Sequence, residues 1–422
     1  MFGGIGSMMG AMISALASLF GARFALALAH KPLPAEVLAF LAAPAWVARA
    51  RLSAPGDDTS VHRPWAWRLR FGDVLGPCKG GVRFHPGVTE ANLSALAARI
   101  LLKCAVNDLP HGGAAGGVAI DPKLLGPGGR DALARDYVRA FFDVIGPERD
   151  ILSPDLGTDA RLMAVMSAEY DRLARHFVPA AINGKPPGQG GVTGRHGATA
   201  RGAFAVMETL LPRWDAQVAG ARFSVQGFGA AGGTLAAEAV ARGARVVAAS
   251  DTSAALLCTA GLPVEALLAA KANGRPLATL ALPGVTVAPP EALFATPTDW
   301  LVCAALPGQV TAAVAAEVDC RGVVEIANAA VDDAGDEILR ARGVHVLPDL
   351  VVNAGGITVS HFEWVQGRTG APLAAAEVAA RLDARMRETA RRLDETATAH
   401  GVPLTVAAQM MAQDRLRAAC GA

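Results

Sequence analysis

Arg222-Phe223-Ser224-Val225-Gln226-Gly227-Phe228-Gly229-Ala230-Ala231-Gly232 reads as a strand that runs into a glycine-spaced turn. The glycines at 227, 229 and 232 allow a tight turn and close backbone approach. An apolar helix follows over 233–242 and stops at Gly243. A second strand, Arg245-Val246-Val247-Ala248-Ala249, ends at Ser250-Asp251. A bare G-x-G-x-x-G means little. A strand before it, a helix after it and an acid closing the next strand make it a dinucleotide-binding unit, with the pyrophosphate on the helix N-terminus. Apolar runs at 300–304, 322–326 and 344–348 extend a parallel sheet. Asp251 can accept from a ribose hydroxyl and would repel a 2′-phosphate, which leans toward NAD; the alternative is a turn aspartate, and NAD or NADP stays open.

A second stretch, residues 75–121, carries different chemistry. Lys79 stands beside Gly80 and Gly81, where the backbone can pass close to a bound anion while the ammonium reaches it. Thr89 caps a helix on which Leu93, Leu96, Ala97, Ile100, Leu101 and Cys104 recur at helical spacing. Lys103 lies near its C-terminus, where the helix dipole favours a cation. The expected continuation is a glycine-rich loop over 109–117, then a strand Val118-Ala119-Ile120.

Lys79-Gly80-Gly81-Val82-Arg83-Phe84-His85-Pro86, the Lys103 helix and the double Gly-Gly segment resemble the Glu/Leu/Phe/Val dehydrogenase family, and within it the glutamate dehydrogenases. The resemblance covers about 33–420. It implies two α/β domains, an N-terminal substrate domain and a Rossmann-type doubly wound nucleotide domain, that close by a hinge. It also implies that Lys79 with Ser360 binds a side-chain carboxylate, Lys103 binds the α-carboxylate and Asp155 shuttles protons at the substrate nitrogen. One position departs. The family reads Gly-Gly-Ala-Lys-Gly-Gly, with the catalytic lysine fourth, and this chain has Ala115 there.

Read from residues alone, Asp155, between Pro154 and Leu156-Gly157, is a turn or capping aspartate, or a partly desolvated acid suited to proton transfer. For Lys79 and Lys103 the alternative is a pair of surface lysines. By resemblance, Thr199, Gly227, Gly229, Ala230, Gly232, Asp251, Asn328 and Asn353 meet the cofactor; Thr199 is otherwise simply a helix N-terminal residue. Ala304–Gln309 and Asn353–Ser360 match family loops closely. Glu325–Ala330 matches poorly, with Ile326 and Ala329 where the family has glycine, so Ile326 is expected to crowd the nicotinamide side.

The implied activity is reversible oxidative deamination of L-glutamate to 2-oxoglutarate and ammonia with NAD or NADP, impaired by the missing lysine. The alternatives are a non-catalytic paralogue that binds dicarboxylate or nucleotide in a mixed oligomer, and a dehydrogenase for another amino acid. By family analogy the assembly is a hexamer.

Composition sets outer limits. The chain has 422 residues, 52% hydrophobic and 18% charged, with net charge +1. That excludes disorder and gives nucleic-acid binding no electrostatic support. Six cysteines lack metal-ligand spacing and fit a reducing cytoplasm, and no metal is expected. Expected boundaries are an apolar extension at 1–29, a substrate and oligomerisation domain at 30–185, a nucleotide domain at 186–355, and C-terminal helices at 356–422 that pack back on the first domain. The extension carries no charge before Arg23 and lacks the basic start of a signal peptide. It is read as an oligomer-contact helix or a misplaced start rather than a membrane anchor. Residues 34–50 are expected to be helical, as are 130–146.

Overall fold

The computed structural model describes residues 14, 16–56 and 60–421. The first part of the apolar extension, and with it most of the question about residues 1–29, lies outside that range. The chain divides into two compact α/β units. The first comprises the residues up to Arg195, Ile357–Ala379 and those from Gln409 onward; the second comprises His196–Gly356 and Ala380–Ala408.

In the first unit, helices α1 (Ala22–His30) and α2 (Ala35–Leu41) precede strands β1 (Trp46–Arg51), β2 (Ala54–Pro55), β3 (Val61–His62), β4 (Trp65–Gly72) and β5 (Cys78–Phe84). Helix α3 (Glu90–Val106), strand β6 (Gly112–Val118), helix α4 (Pro127–Phe141), strand β7 (Asp150–Pro154) and helix α5 (Ala160–Ala174) follow. The main sheet runs β1-β4-β6-β5-β7. Strand β5 is parallel to both β6 and β7, while β4 is antiparallel to β1 and β6. One face packs α4 and α5 around Tyr137, Phe141, Met163 and Met166. Thr89 begins α3 with the expected cap, its Oγ1 accepting from Asn92 N at 3.3 Å while Asn92 Oδ1 accepts from Thr89 N at 3.1 Å.

Two expectations fail here. The glycine-rich segment is not a loop: Gly112–Val118 is β6, a central strand paired on both sides and buried throughout. Glycine is needed because neighbours press against the backbone. A Cβ on Gly113 would lie 2.1 Å from the Ala97 carbonyl of α3, and one on Gly116 2.1 Å from the Tyr137 hydroxyl. The expected helix over 34–50 stops at Leu41, before Pro44, and residues 46–51 form β1. Trp46, Ala48 and Ala50 turn inward while Val47, Arg49 and Arg51 face solvent, the period of a strand. Arg51 lies over the Trp65 ring on the paired strand, 4.3 Å from its centroid.

The described part of the apolar N-terminus packs within its own unit. Leu16, Phe20 and Phe24 are buried, and Phe20 stacks on Phe24 at 4.6 Å. Lys31 pairs with Asp414 at 2.6 Å on the last helix. Among the described residues, no helix is long and apolar enough to cross a membrane.

The second unit opens with α6 (Ala198–Leu210) and β8 (Arg222–Gln226), α7 (Ala230–Ala241), β9 (Arg245–Ser250), β10 (Ala255–Leu257) and α8 (Val264–Ala272). Strands β11 (Thr286–Ala288), β12 (Trp300–Cys303), helix α9 (Ala312–Glu317), β13 (Gly322–Glu325), helix α10 (Asp333–Ala341), β14 (His345–Leu347) and helix α11 (Asp349–Val352) follow. The sheet order is β11-β10-β9-β8-β12-β13-β14. The five strands from β9 to β14 are parallel, while β10 and β11 run antiparallel at the edge. Alternate residues feed two cores: Trp300 and Val302 on one face, Leu301 and Cys303 on the other. Helices α12 (Gly355–Thr369), α13 (Ala375–His400) and α14 (Leu404–Ala419) complete the chain.

Candidate active site

In the first unit, the parallel register puts Lys79 level with Gly113 and Ile151. Lys79, Gly81 and Arg83 therefore share one face of β5. The same register places Gly81 level with Ala115 on β6 and Ser153 on β7. A Cβ on Gly81 would lie 2.6 Å from the Asp155 Cβ, so Asp155 folds over the glycine on this face. Helix α3 covers the Gly113 end, bringing Lys103 to the region where both lysines lower the Cys104 thiol against a larger upward push from burial. The structure thus gathers Lys79, Lys103, Ala115 and Asp155 on one side of one sheet.

Lys79 is 1% exposed, and its Nζ has no hydrogen-bond partner among the described residues. Burial, then the nearby Arg195 guanidinium, push this ammonium down to about 7, against the pull of Glu363. Ser360, on α12, is 1% exposed and its Oγ accepts from Arg195 Nη1 at 3.2 Å. Glu363, one turn on, accepts from Lys185 Nζ at 3.2 Å and from Gly184 N at 2.8 Å, with Arg195 Nη1 at 3.5 Å. Asn183 donates to the Ser360 carbonyl at 2.6 Å. Lys185 and Arg195 pair with the Glu363 carboxylate, and Lys79 stands near this cluster without a hydrogen bond of its own.

The sequence singles out Lys79 and Ser360; the structure places Asn183, Lys185, Arg195 and Glu363 beside them, and no motif points to these four. Composition made 183–202 look like plain linker. The usable signals were Arg195 directly after Gly194, and Glu363 at i+3 from Ser360 on a helix.

Asp155 sits in a setting the sequence did not suggest. Arg83 Nε and Nη2 bond its two oxygens at 3.2 and 3.3 Å, and Leu156 N donates to Oδ1 at 2.8 Å. Its side chain is one-third exposed, so a guanidinium rather than an apolar wall is its main neighbour. Ala115 is 4% exposed and brings no polar atom to the face beyond its backbone.

In the second unit, β8 is the point where strand order reverses, and the Gly227–Gly232 turn sits at its C-terminal end. Gly227 has φ 87°, and Gly227 and Phe228 donate to the Ser250 carbonyl at 2.9 and 2.7 Å. A Cβ on Gly232 would lie 2.1 Å from the Gly227 carbonyl, while one on Gly229 would meet nothing within 4 Å. Ala230, exposed, starts α7. The turn is tight where it must be and open at the helix N-terminus, which fits a dinucleotide pyrophosphate.

Asn353 Nδ2 donates to Asn328 Oδ1 at 3.1 Å and to the Ile326 carbonyl at 3.0 Å, which brings those two asparagines together. Thr199 is the second residue of α6, its Oγ1 3.2 Å from where a Gly356 Cβ would be. Ile326 does not crowd this loop as expected. Its side chain is 6% exposed and packs into the core of the unit. Among the described residues no cluster of metal-ligating side chains occurs.

Comparison with known proteins is decisive on ancestry. Residues 190–422 match the family described as Glutamate/Leucine/Phenylalanine/Valine dehydrogenase, and 44–172 match its dimerisation domain. The chain belongs to the Glu/Leu/Phe/Val dehydrogenase family. Similar members include the NADP-specific glutamate dehydrogenase of Synechocystis, 38% identical over 87% of each chain. Another is the catabolic NAD-specific glutamate dehydrogenase of Bacillus subtilis, 36% identical over 89% of this chain and 88% of that one. Among solved structures, the hetero-hexameric glutamate dehydrogenase of Thermus thermophilus, in its leucine-bound form, superposes with a TM-score of 0.89. It is 36% identical and 94% of each chain is covered.

Proposed function

We propose that this chain is a glutamate dehydrogenase-like protein that binds a dicarboxylic amino or oxo acid in its first unit and NAD or NADP in its second. The observation that carries the reading is the buried, unpartnered Lys79 nitrogen beside the Arg195–Ser360 pair. A buried ammonium without a partner penalises an apolar side chain and favours a carboxylate. In this reading Lys79, Arg195 and Ser360 hold the distal carboxylate, Lys103 holds the α-carboxylate, and Asp155 moves the proton at the substrate nitrogen. Gly227, Gly229, Ala230 and Gly232 cradle the dinucleotide, with Thr199, Asn328 and Asn353 on the nicotinamide side. When bound there, the nicotinamide would supply hydride acceptance at the substrate α-carbon.

Ala115 removes the amine that polarises the reacting centre in the rest of the family, and a loss of that kind costs on the order of 10²–10⁴-fold in rate. The chain is therefore a slow dehydrogenase or a regulatory partner inside a mixed oligomer, a hexamer by analogy with the family. The hetero-hexameric relative lends the second form specific support. Six unpaired cysteines are consistent with a cytoplasmic location.

Isothermal titration with glutamate, 2-oxoglutarate and leucine, beside an assay at high protein concentration, tests the reading. Dicarboxylates should bind and leucine should not. Ala115→Lys should gain glutamate-dependent reduction of NAD or NADP. Absence of dicarboxylate binding, or wild-type turnover at the speed of lysine-bearing relatives, would overturn it.

A further inference from the structure

Asp251 closes β9 next to Ser250, whose carbonyl anchors the glycine turn. In a unit of this kind an acid there serves the adenosine ribose by accepting from its hydroxyls. Here its acceptor sites are filled by the chain itself. Oδ1 takes Ser253 N at 2.8 Å and Ser253 Oγ at 2.5 Å. Oδ2 takes Lys271 Nζ at 2.7 Å and Leu277 N at 3.1 Å. The Asp251 side chain is 11% exposed, whereas that of Lys271 is 31% exposed. An ionised carboxylate offers about four lone-pair sites, and four donors at 3.1 Å or closer already occupy them.

The outward-facing chemistry at this corner is cationic. Lys271 spends one N–H on Asp251, and two remain. Arg275, exposed, lies on the loop that carries Leu277 to Asp251 and donates to the Thr279 carbonyl at 3.0 Å. Lys271, Arg275 and Asp251 together carry one net positive charge. A carboxylate that would repel a phosphate is thus neutralised, and a second cation is left over.

Resting on the dinucleotide reading above, we propose that the second unit prefers the dinucleotide bearing a 2′-phosphate, and that Lys271 with Arg275 receives this phosphate. This reverses the lean toward NAD that Asp251 alone suggests. Asp251 acts as a positioning residue: it fixes Lys271 and the 252–254 and 276–278 loops and leaves the ribose to the cations.

The test is calorimetric titration of the full-length protein with NADP, NAD, 2′,5′-ADP and ADP. NADP should bind at least about tenfold more tightly than NAD, and 2′,5′-ADP more tightly than ADP, as one charge-assisted contact supplies. Lys271→Met should abolish that preference or invert it, because it removes a cation and uncovers Asp251. Arg275→Ala, at an exposed loop position that leaves folding intact, should weaken NADP several-fold and leave NAD unchanged. Equal or tighter binding of NAD, or equal losses for both cofactors in Arg275→Ala, would overturn the assignment. Silence toward all four probes would instead overturn the dinucleotide reading, and the preference with it.

Discussion

Arg195 donates to Ser360 Oγ at 3.2 Å, and the same nitrogen stands 3.5 Å from Glu363 Oε2. The guanidinium thus ties a hydroxyl to a carboxylate beside a lysine that nothing ties down. The behaviour of the pocket toward protons follows from that imbalance.

Lys79 has Arg195, Lys185, Glu363, Cys104 and the neutral His111 as its electrostatic neighbours. With its ammonium lowered to about 7, the free protein above that pH holds Lys79 neutral. A carboxylate bound there would restore the charge, so its binding should take up a proton. Dicarboxylate affinity should fall by up to about tenfold per pH unit above neutrality. Calorimetry in buffers of different ionisation enthalpy reads the uptake, and Lys79→Met should abolish both uptake and slope. Stability of the free protein has the opposite sense. Between about 7 and 10.5 the unfolded chain holds more protons at this lysine, so its contribution to stability rises with pH over that window.

Ala329 adopts φ 47°, a left-handed conformation that costs a residue with a Cβ about 1–2 kcal/mol. Its carbonyl accepts from Gly308 N at 2.8 Å and its N–H donates to Asp349 Oδ2 at 3.2 Å, which holds it there. Ala329→Gly should stabilise the protein by roughly 0.5–1 kcal/mol after glycine's own entropic cost. Urea unfolding measures the gain, and a loss of stability would show that the alanine is not strained.

Arg68 and Asp150 are both fully buried, with Nε–Oδ2 at 2.8 Å. Arg68→Met leaves a buried carboxylate without its counter-ion and should cost about 3–5 kcal/mol. The double change Arg68→Met with Asp150→Leu should recover much of that. Denaturant melts of the wild type and the two variants decide it; equal losses in the single and double variants would rule out the pairing explanation.

Gly113→Ala drives a methyl group to 2.1 Å from the Ala97 carbonyl. Helix α3 must shift, at a cost of about 1–3 kcal/mol or more, and Lys103 moves with it. Thermal melts should show the loss, and dicarboxylate affinity should fall in the same variant.

Much of this was legible beforehand, for local reasons. The Gly227–Gly232 turn announced itself because its glycines sit at fixed offsets between a strand and a helix. Lys79, Lys103 and Ser360 stand out as candidates through motif context. The 109–117 segment was misread because glycine usually marks loops, and only tertiary packing reveals a central strand squeezed between α3 and Tyr137. Residues 46–51 were misread because Ala and Arg favour helices, and pairing with β4 overrides that preference. Arg195, Glu363 and Lys185 meet across more than 160 positions of sequence, which no local pattern can encode. For Asp251 the sequence leaves a ribose acceptor and a turn aspartate open, since its partners Lys271 and Leu277 lie 20 and 26 residues away.

Strand β6 is Gly-Gly-Ala-Ala-Gly-Gly-Val, buried from end to end. A ribbon made almost wholly of backbone owes its place to ladder bonds and to the bulk of its neighbours, not to what it carries. The methyl group of Ala115 therefore contributes little to the architecture around it. In such a scaffold, reactivity and shape are inherited separately.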